Sequence, residues 1–390
     1  MPSTGIVESF FLIFTGAAVL ATAALYTRQP LLVAYIAIGC ILGPHGFKFV
    51  ADPDLLSEIA QIGIIFLLFL VGLDLQPNKL KNMLGESLLT AMGTTAVFFL
   101  IGFGLMMGFD FSLSEAIVTG IAVTFSSTII GIKLLPTTVL HHRHIGEIVV
   151  SLLLIQDLLA ILALILLAGY GDTLSSTLSS LATVLISLPL LAAGAFWGVR
   201  LFLQPLIQRF DAFHEFIFLL AIGWCLGIAN LANMAGLSFE IGAFIAGVSL
   251  ATSPIAPYIA ESLRPLRDFF LVLFFFSVGA GLNATLLMEV FFPTLLLGLL
   301  LVAVKPGVFA LLLTWQGEAR ETSWEVGYRL GQASEFSLLV SYVAASSALV
   351  SPEAAHVIQG ATVITLLLSS YAVIFRYPSP IAISARLRRD

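Results

Sequence analysis

The sequence predicts an all-α polytopic membrane protein of about thirteen transmembrane helices, with its N-terminus outside and its C-terminus in the cytoplasm. Composition, the length of the apolar stretches and the placement of charge predict it. Apolar residues make up 59% of the 390-residue chain and charged residues 10%, against about 25% charge in an ordinary soluble domain. A mean hydropathy of +1.06 excludes a single large soluble core. The apolar stretches are cut by charge, Gly and Pro into pieces near the roughly 20 residues a span needs. The Lys and Arg residues, 17 in all, then sort to one side.

Taken in order, the expected spans are 6–26, 30–43, 56–73, 84–108, 113–132, 147–169, 175–202, 214–231, 236–252, 267–282, 289–313, 324–348 and 356–376. The first has Glu8 near its start and no basic leader, so it reads as a retained helix rather than a cleaved signal peptide. The second is short and ends at Gly43-Pro44, and the eleventh is expected to be interrupted at Lys305-Pro306-Gly307. Alternating this count back from a cytoplasmic C-terminus leaves Lys48 alone outside and Lys305 in the membrane. Every other basic residue, from Arg28 to Arg389, falls on the cytoplasmic side, as the positive-inside rule requires. Trp197, Trp315 and Trp324 fall near the expected interfaces, where aromatic anchors belong. Cys40 and Cys225 lie in apolar stretches and read as small core residues.

The two halves share a register about 207 positions apart. Phe69-Leu-Val-Gly72-Leu-Asp-Leu75 answers Phe276-Ser-Val-Gly279-Ala-Gly-Leu282 at 207, and Gly39-Cys-Ile-Leu-Gly43 answers Gly242 to Gly247 at 203 (242 − 39). The polar patch Thr124 to Thr128 answers Gly331 to Glu335. Six helices, a linker helix at 175–202 and six more place the second half upside down. Inverted repeats of this kind build secondary transporters with the site near the midplane.

Asp157 is the feature that carries chemistry. It is the one acid in the run Ile148 to Leu167, which only Ser151 and Gln156 otherwise break. Such an acid is either a neutral, hydrogen-bonded plug or a site where a proton and a cation exclude each other. Gln156, Ser126, Ser127 and Thr128 are the candidate oxygen ligands for a monovalent cation at Asp157. The paired polar patches read either as Ser and Thr bonded to neighbouring helices or as helices broken at mid-depth, whose exposed ends hold charge. Gln332, Ser334 and Glu335 mark the second break. Lys305 is either a charge partner of Asp157 or a cap on carbonyls of the broken helices, with snorkelling to an interface as the plain alternative. Position 157 answers Ile364 or Thr365, so no second acid is expected at the equivalent place. Glu335 reads as a gating acid or as a solvent-facing funnel residue, and Glu240 as a helix-end acid. His141-His142-Arg143-His144 lacks the helical spacing of a metal site and reads as a solvated basic loop, with pH sensing a further option.

No Walker A, HExxH, GxSxG or GxGxxG pattern occurs, and nothing points to nucleic acid or to a bound cofactor. A channel would be expected to carry a filter-like sequence, and an intramembrane hydrolase a second catalytic group, for which Lys305 is the one deep candidate.

Gly43-Pro44, Phe69 to Leu75, Ser126-Ser127-Thr128, Gln156-Asp157, Lys305, and Gly331-Gln332 with Glu335-Phe336 together resemble the membrane domain of Kef-type monovalent cation:proton antiporters, in the second cation:proton antiporter group. The resemblance covers nearly the whole chain, and Gln-Asp is its informative pair, shared with potassium-handling members. It implies an antiporter fold with two broken crossover helices, in a homodimeric elevator of the bacterial inner membrane. The dimerisation panel would be approximately 6–73 and 214–282, the linker helix 175–202, and the moving core 84–169 and 289–376. Asp157 would carry K⁺ or H⁺ in about one-for-one electroneutral exchange, Na⁺ or Li⁺ being the alternative cation. Kef systems carry a cytosolic nucleotide-binding regulatory domain, whereas this sequence stops at Arg388-Arg389-Asp390. Regulation is then lost, supplied by a separate cytosolic protein, or encoded beyond the portion in hand. The Gln332-Ala-Ser-Glu335 stretch is less Gly-rich than the family's version.

Overall fold

A computed structural model describes residues 6–50, 53–74, 77–135, 144–168, 174–210 and 213–379. His141 to Arg143 and the terminal Arg388-Arg389-Asp390 lie outside the described residues. The described chain is helical: α1 Ile6–Tyr26, α2 Leu31–Leu42, α3 Pro53–Asp74, α4 Pro77–Gly108, α5 Leu113–Ala122, α6 Thr128–Lys133, α7 His144–Ala168, α8 Leu174–Gly198, α9 Gln204–Arg209, α10 His214–Met234, α11 Phe239–Ala251, α12 Ala256–Gly281, α13 Ala284–Glu289, α14 Phe291–Trp315, α15 Arg320–Arg329, α16 Glu335–Ser346 and α17 Pro352–Arg376. A short π-helical stretch, Val199–Leu203, joins α8 to α9. Seven of these helices contain segments long and apolar enough to cross a membrane, and five shorter ones are apolar.

The expected spans 113–132 and 324–348 are each split in two, by residues 123–127 and 330–334. The reverse holds for the eleventh span. Pro306 sits inside α14, which runs unbroken through Lys305-Pro306-Gly307. A proline inside a helix removes one backbone bond, but neighbouring helices in a membrane protein offset that loss. Here α15 lies so close to α14 that a Cβ at Gly327 would fall 2.4 Å from the Pro306 carbonyl oxygen. The interruption expected of the proline does not occur, and Gly327 lets α15 pack against the helix at that point.

The helices fall into two compact units, with boundaries inside α4, α7 and α12. One contains residues 1–51, 83–163 and 278–390; the other contains 52–82 and 164–277. The glycine motifs found in both halves of the sequence do the same job in each unit. In the first unit, a Cβ at Gly279 would lie 2.0 Å from the Ile36 carbonyl oxygen, and one at Gly43 would lie 2.7 Å from the Cα of Ala280. In the second unit, a Cβ at Gly247 would lie 2.1 Å from the Phe69 carbonyl oxygen, and one at Gly72 would lie 2.5 Å from that of Phe244. Small residues let helix backbones touch where lipid supplies no hydrophobic drive between helices.

Within the first unit, local sequence sets the ends of the helices that frame the site. Ser112 and Glu115 form a reciprocal capping box at the start of α5. The other oxygen of Glu115, Oε1, accepts the backbone N–H of Ser351, the N-cap of α17, at 3.0 Å. One carboxylate therefore ties two helix starts together. Beneath them, Phe98 on α4 and Phe309 on α14 pack with ring centroids 5.7 Å apart, both fully buried.

Candidate functional site

All nine residues singled out as site candidates belong to the first unit. Residues 123–127 leave the helix in a turn after α5, and Thr128 opens α6. Residues 330–334 do the same after α15, and Glu335 opens α16. The two breaks touch. Ser126 Oγ donates to the Leu330 carbonyl at 2.8 Å, and Gln332 Nε2 donates to the carbonyls of Arg329 at 2.9 Å and Ser127 at 3.4 Å. Ser337 Oγ, on the first turn of α16, donates to the Ala122 carbonyl at the end of α5 at 2.6 Å.

Lys305 closes this junction. Fully buried on α14, it donates to the carbonyls of Phe125 at 2.8 Å, Gln332 at 3.1 Å and Val123 at 3.3 Å. An ammonium has three protons to give, and all three find carbonyls that the broken helices leave without intrahelical partners. These carbonyls follow the C-terminal ends of α5 and α15, where a helix dipole is negative and a cation is favoured. The ammonium also lies 4.8 Å from the centroid of the Phe98 ring. Phe125 and Gln332 are 207 positions apart, and so are Phe98 and Lys305. Residues at matching positions of the two halves therefore meet here, and Lys305 holds both members of one such pair. Of the two roles open to Lys305, the structure shows the carbonyl cap; it makes no ion pair with Asp157 within 4.0 Å.

The helices beside the breaks supply matching caps. Gln156 Oε1 on α7 accepts the Ser126 N–H at 3.0 Å, and Thr365 Oγ1 on α17 accepts the Ala333 N–H at 2.9 Å. Ser126 and Ala333 are again 207 positions apart, so different side chains perform one task in the two halves. Ser127 Oγ accepts from the Ile130 N–H at 3.2 Å and caps α6. Ser334 Oγ accepts from the Phe336 N–H at 3.1 Å and caps α16.

Asp157 stands beside this junction, 4% exposed. Thr128 Oγ1 lies 3.1 Å from each of its carboxylate oxygens and donates to them. Glu335, also 4% exposed, is a second buried carboxyl in the same unit. Thr128 and Glu335 occupy equivalent positions, each the first residue of the helix after a break. The sequence leaves Glu335 either a gating acid at the second break or a solvent-facing funnel residue. The second carboxyl comes from the other break, not from the position equivalent to Asp157, and it is buried rather than facing solvent. Of the four candidate oxygen ligands, Thr128 is the one bonded to Asp157, whereas Gln156 and Ser127 hold the backbone of the first break and Ser126 bonds the second. Gln156 Nε2 is buried with no partner among the described residues.

Two contributors, Ser337 and Arg329, escaped the sequence reading, and Thr365 entered it only as a position opposite Asp157. Arg329 is fully buried, donates to Glu325 and to the carbonyls of Leu134 at 2.8 Å and Pro378 at 2.8 Å, and so anchors the segment leading into the second break. At an offset of 207 Thr365 answers Leu158, beside Gln156-Asp157. His144, the described member of the histidine cluster, is exposed and bonded to Glu318 at 2.9 Å. Glu240 lies in the first turn of α11.

The arrangement, a buried carboxylate against two broken helices that are pinned by a lysine, is one that ion carriers use. Residues 10–375 match the family described as sodium/hydrogen exchanger, transmembrane. The chain belongs to that family. It is a family of membrane ion exchangers, not of enzymes. Among its similar relatives, K(+) efflux antiporters 5 and 4 of Arabidopsis thaliana are each 30% identical over 87% of this chain, covering 59% and 58% of their own lengths. This exchanger-family chain thus spans about three-fifths of those two relatives. Iron transporter MagA of Paramagnetospirillum magneticum is 27% identical over 88% of this chain and 79% of its own. The solved structure of the sodium proton antiporter MjNhaP1 from Methanocaldococcus jannaschii superposes with a TM-score of 0.70 over 98% of this chain and 97% of that one. At 18% identity that likeness shows a shared fold.

Proposed function

We propose that the protein exchanges a monovalent cation for protons across a membrane, with K⁺ as the cation, and that Asp157 is the group the two ions share. The observation that carries this reading is the burial of Asp157 against Thr128, beside two broken helices whose loose carbonyls Lys305 has already neutralised. A dehydrated carboxylate there binds either one proton or one monovalent cation, which couples the two flows. Similarity to the K(+) efflux antiporters and the Gln156-Asp157 pair favour K⁺. The fold neighbour's name, a sodium proton antiporter, supports Na⁺ or Li⁺ as the second reading.

In this proposal thirteen spans run from an external N-terminus to a cytoplasmic C-terminus, and α5–α6 and α15–α16 are the broken crossover helices. The core at 84–169 and 289–376 moves as an elevator against a dimerisation panel at 6–73 and 214–282, in a homodimer of the bacterial inner membrane. A one-for-one exchange is electroneutral, and a cytosolic partner or a further part of the protein supplies regulation. Reconstituted protein loaded with a pH-sensitive dye and challenged with K⁺, Na⁺ and Li⁺ gradients tests the reading. Proton flux should follow K⁺ in the wild type and vanish in a folded Asp157→Asn variant. Undiminished flux in that variant removes Asp157 from the mechanism, and flux driven by Na⁺ but not K⁺ selects the second reading.

A further inference from the structure

A cavity of about 800 Å³ opens at the ends of α15 and α17, away from Asp157, and the exchange reading makes no use of it. Its size is within the range of small-molecule sites. Two arginines line it, Arg320 at the first residue of α15 and Arg376 at the last residue of α17, both exposed. The other wall is aromatic: Trp324, Tyr328 and Tyr377 form a row with ring centroids 5.9 and 5.7 Å apart. The Arg376 guanidinium is held over the Tyr328 ring at 5.1 Å.

The charges are not balanced within the cavity. Glu325 is already matched from behind by Arg329, through bonds of 2.6 and 3.0 Å. That leaves Glu321 as the carboxylate facing two guanidiniums. The level of the cavity is set by the spans around it. The apolar span Pro352–Arg376 ends at Arg376, and the span Phe291–Trp315 ends one short turn before α15 begins. Phe375 and Trp315, 64% and 73% exposed, mark the same level as lipid-facing. Tryptophan and tyrosine rings collect at the headgroup layer, and paired guanidiniums there suit a phosphate. The positive-inside distribution puts this end of the helices on the cytoplasmic side, whose leaflet is rich in anionic lipid.

We infer that this cavity is a binding site for the phosphate-bearing headgroup of an anionic phospholipid. Arg320 and Arg376 take the phosphate, and Trp324, Tyr328 and Tyr377 take the glycerol and the start of the acyl chains. A soluble phosphate would use the same arginines but not the aromatic wall.

The test uses the purified full chain in a neutral detergent, with thermal unfolding followed as lipid is added. Dioctanoyl phosphatidylglycerol should raise the unfolding temperature, whereas dioctanoyl phosphatidylcholine and inorganic phosphate should leave it in place. Arg320→Gln with Arg376→Gln should weaken the apparent affinity for the glycerol lipid about thirtyfold. Equal shifts with the choline lipid, or an unchanged affinity in the double variant, would overturn the assignment. A shift with inorganic phosphate as large as with lipid would overturn the lipid as occupant. A second measurement needs no charge removal, because Trp324 reports from inside the cavity. Brominated phosphatidylglycerol should quench tryptophan fluorescence more than brominated phosphatidylcholine does, and the excess should disappear in Trp324→Phe. Quenching that persists in Trp324→Phe places the lipid elsewhere and sinks the proposal, even if the double arginine variant fails to fold.

Discussion

Replacing Lys305 by methionine tests whether this residue is a cap or a charge partner. Methionine keeps most of the length and volume but has no proton to give. The carbonyls of Val123, Phe125 and Gln332 would each lose a charged donor in a fully buried place. An orphaned buried acceptor costs about 1–3 kcal/mol, so the gross loss is about 3–9 kcal/mol. Several kcal/mol return because the dehydrated ammonium is gone. The net destabilisation is on the order of 3 kcal/mol, comparable to removing one partner of a buried charged pair. Thermal unfolding in detergent reads it directly, with exchange measured in parallel at a temperature where the variant remains folded. As a cap, Lys305→Met should lose stability while its exchange keeps the wild-type pH profile. A variant as stable as the wild type would refute the capping argument. A displaced pH profile at full stability would make Lys305 a partner of Asp157 instead.

The other expectations follow from the same contacts. Gly279→Ala would put a methyl 2.0 Å from the Ile36 carbonyl oxygen and should cost about 2 kcal/mol or more. Gly104→Ala on α4 meets nothing within 4 Å and should be neutral or stabilising by up to about 1 kcal/mol, both read by thermal unfolding. Gln156→Leu leaves the Ser126 N–H without its acceptor, and Thr365→Val does the same to Ala333; each should lower stability by about 1–3 kcal/mol. If only the Gln156 variant is affected, the matched-cap argument fails. Thr128→Val keeps shape but removes the hydroxyl on Asp157, and should raise the half-saturating cation concentration in the flux assay about tenfold.

Much of this protein was written locally along its chain. Hydropathy and basic-residue placement are properties of short windows, so membrane class, the rough succession of helices, and the isolation of Asp157 and Lys305 were legible without coordinates. The 207-position register also told where two helices would break, because a polar patch in an apolar span is visible one residue at a time. What a local window cannot contain is a partner on another helix. Ser337 meets Ala122 across 215 positions and Lys305 meets Val123 across 182. Only the folded packing decided that Lys305 caps carbonyls, that Glu335 is buried, and that Ser126, Ser127 and Gln156 brace the backbone of the two breaks. It also decided that Pro306 leaves α14 whole and that Gly327 on the next helix packs against it there. The chain's composition determines that buried polar groups must be paired; the tertiary structure determines with whom, since each pairing depends on several helices arriving at one place.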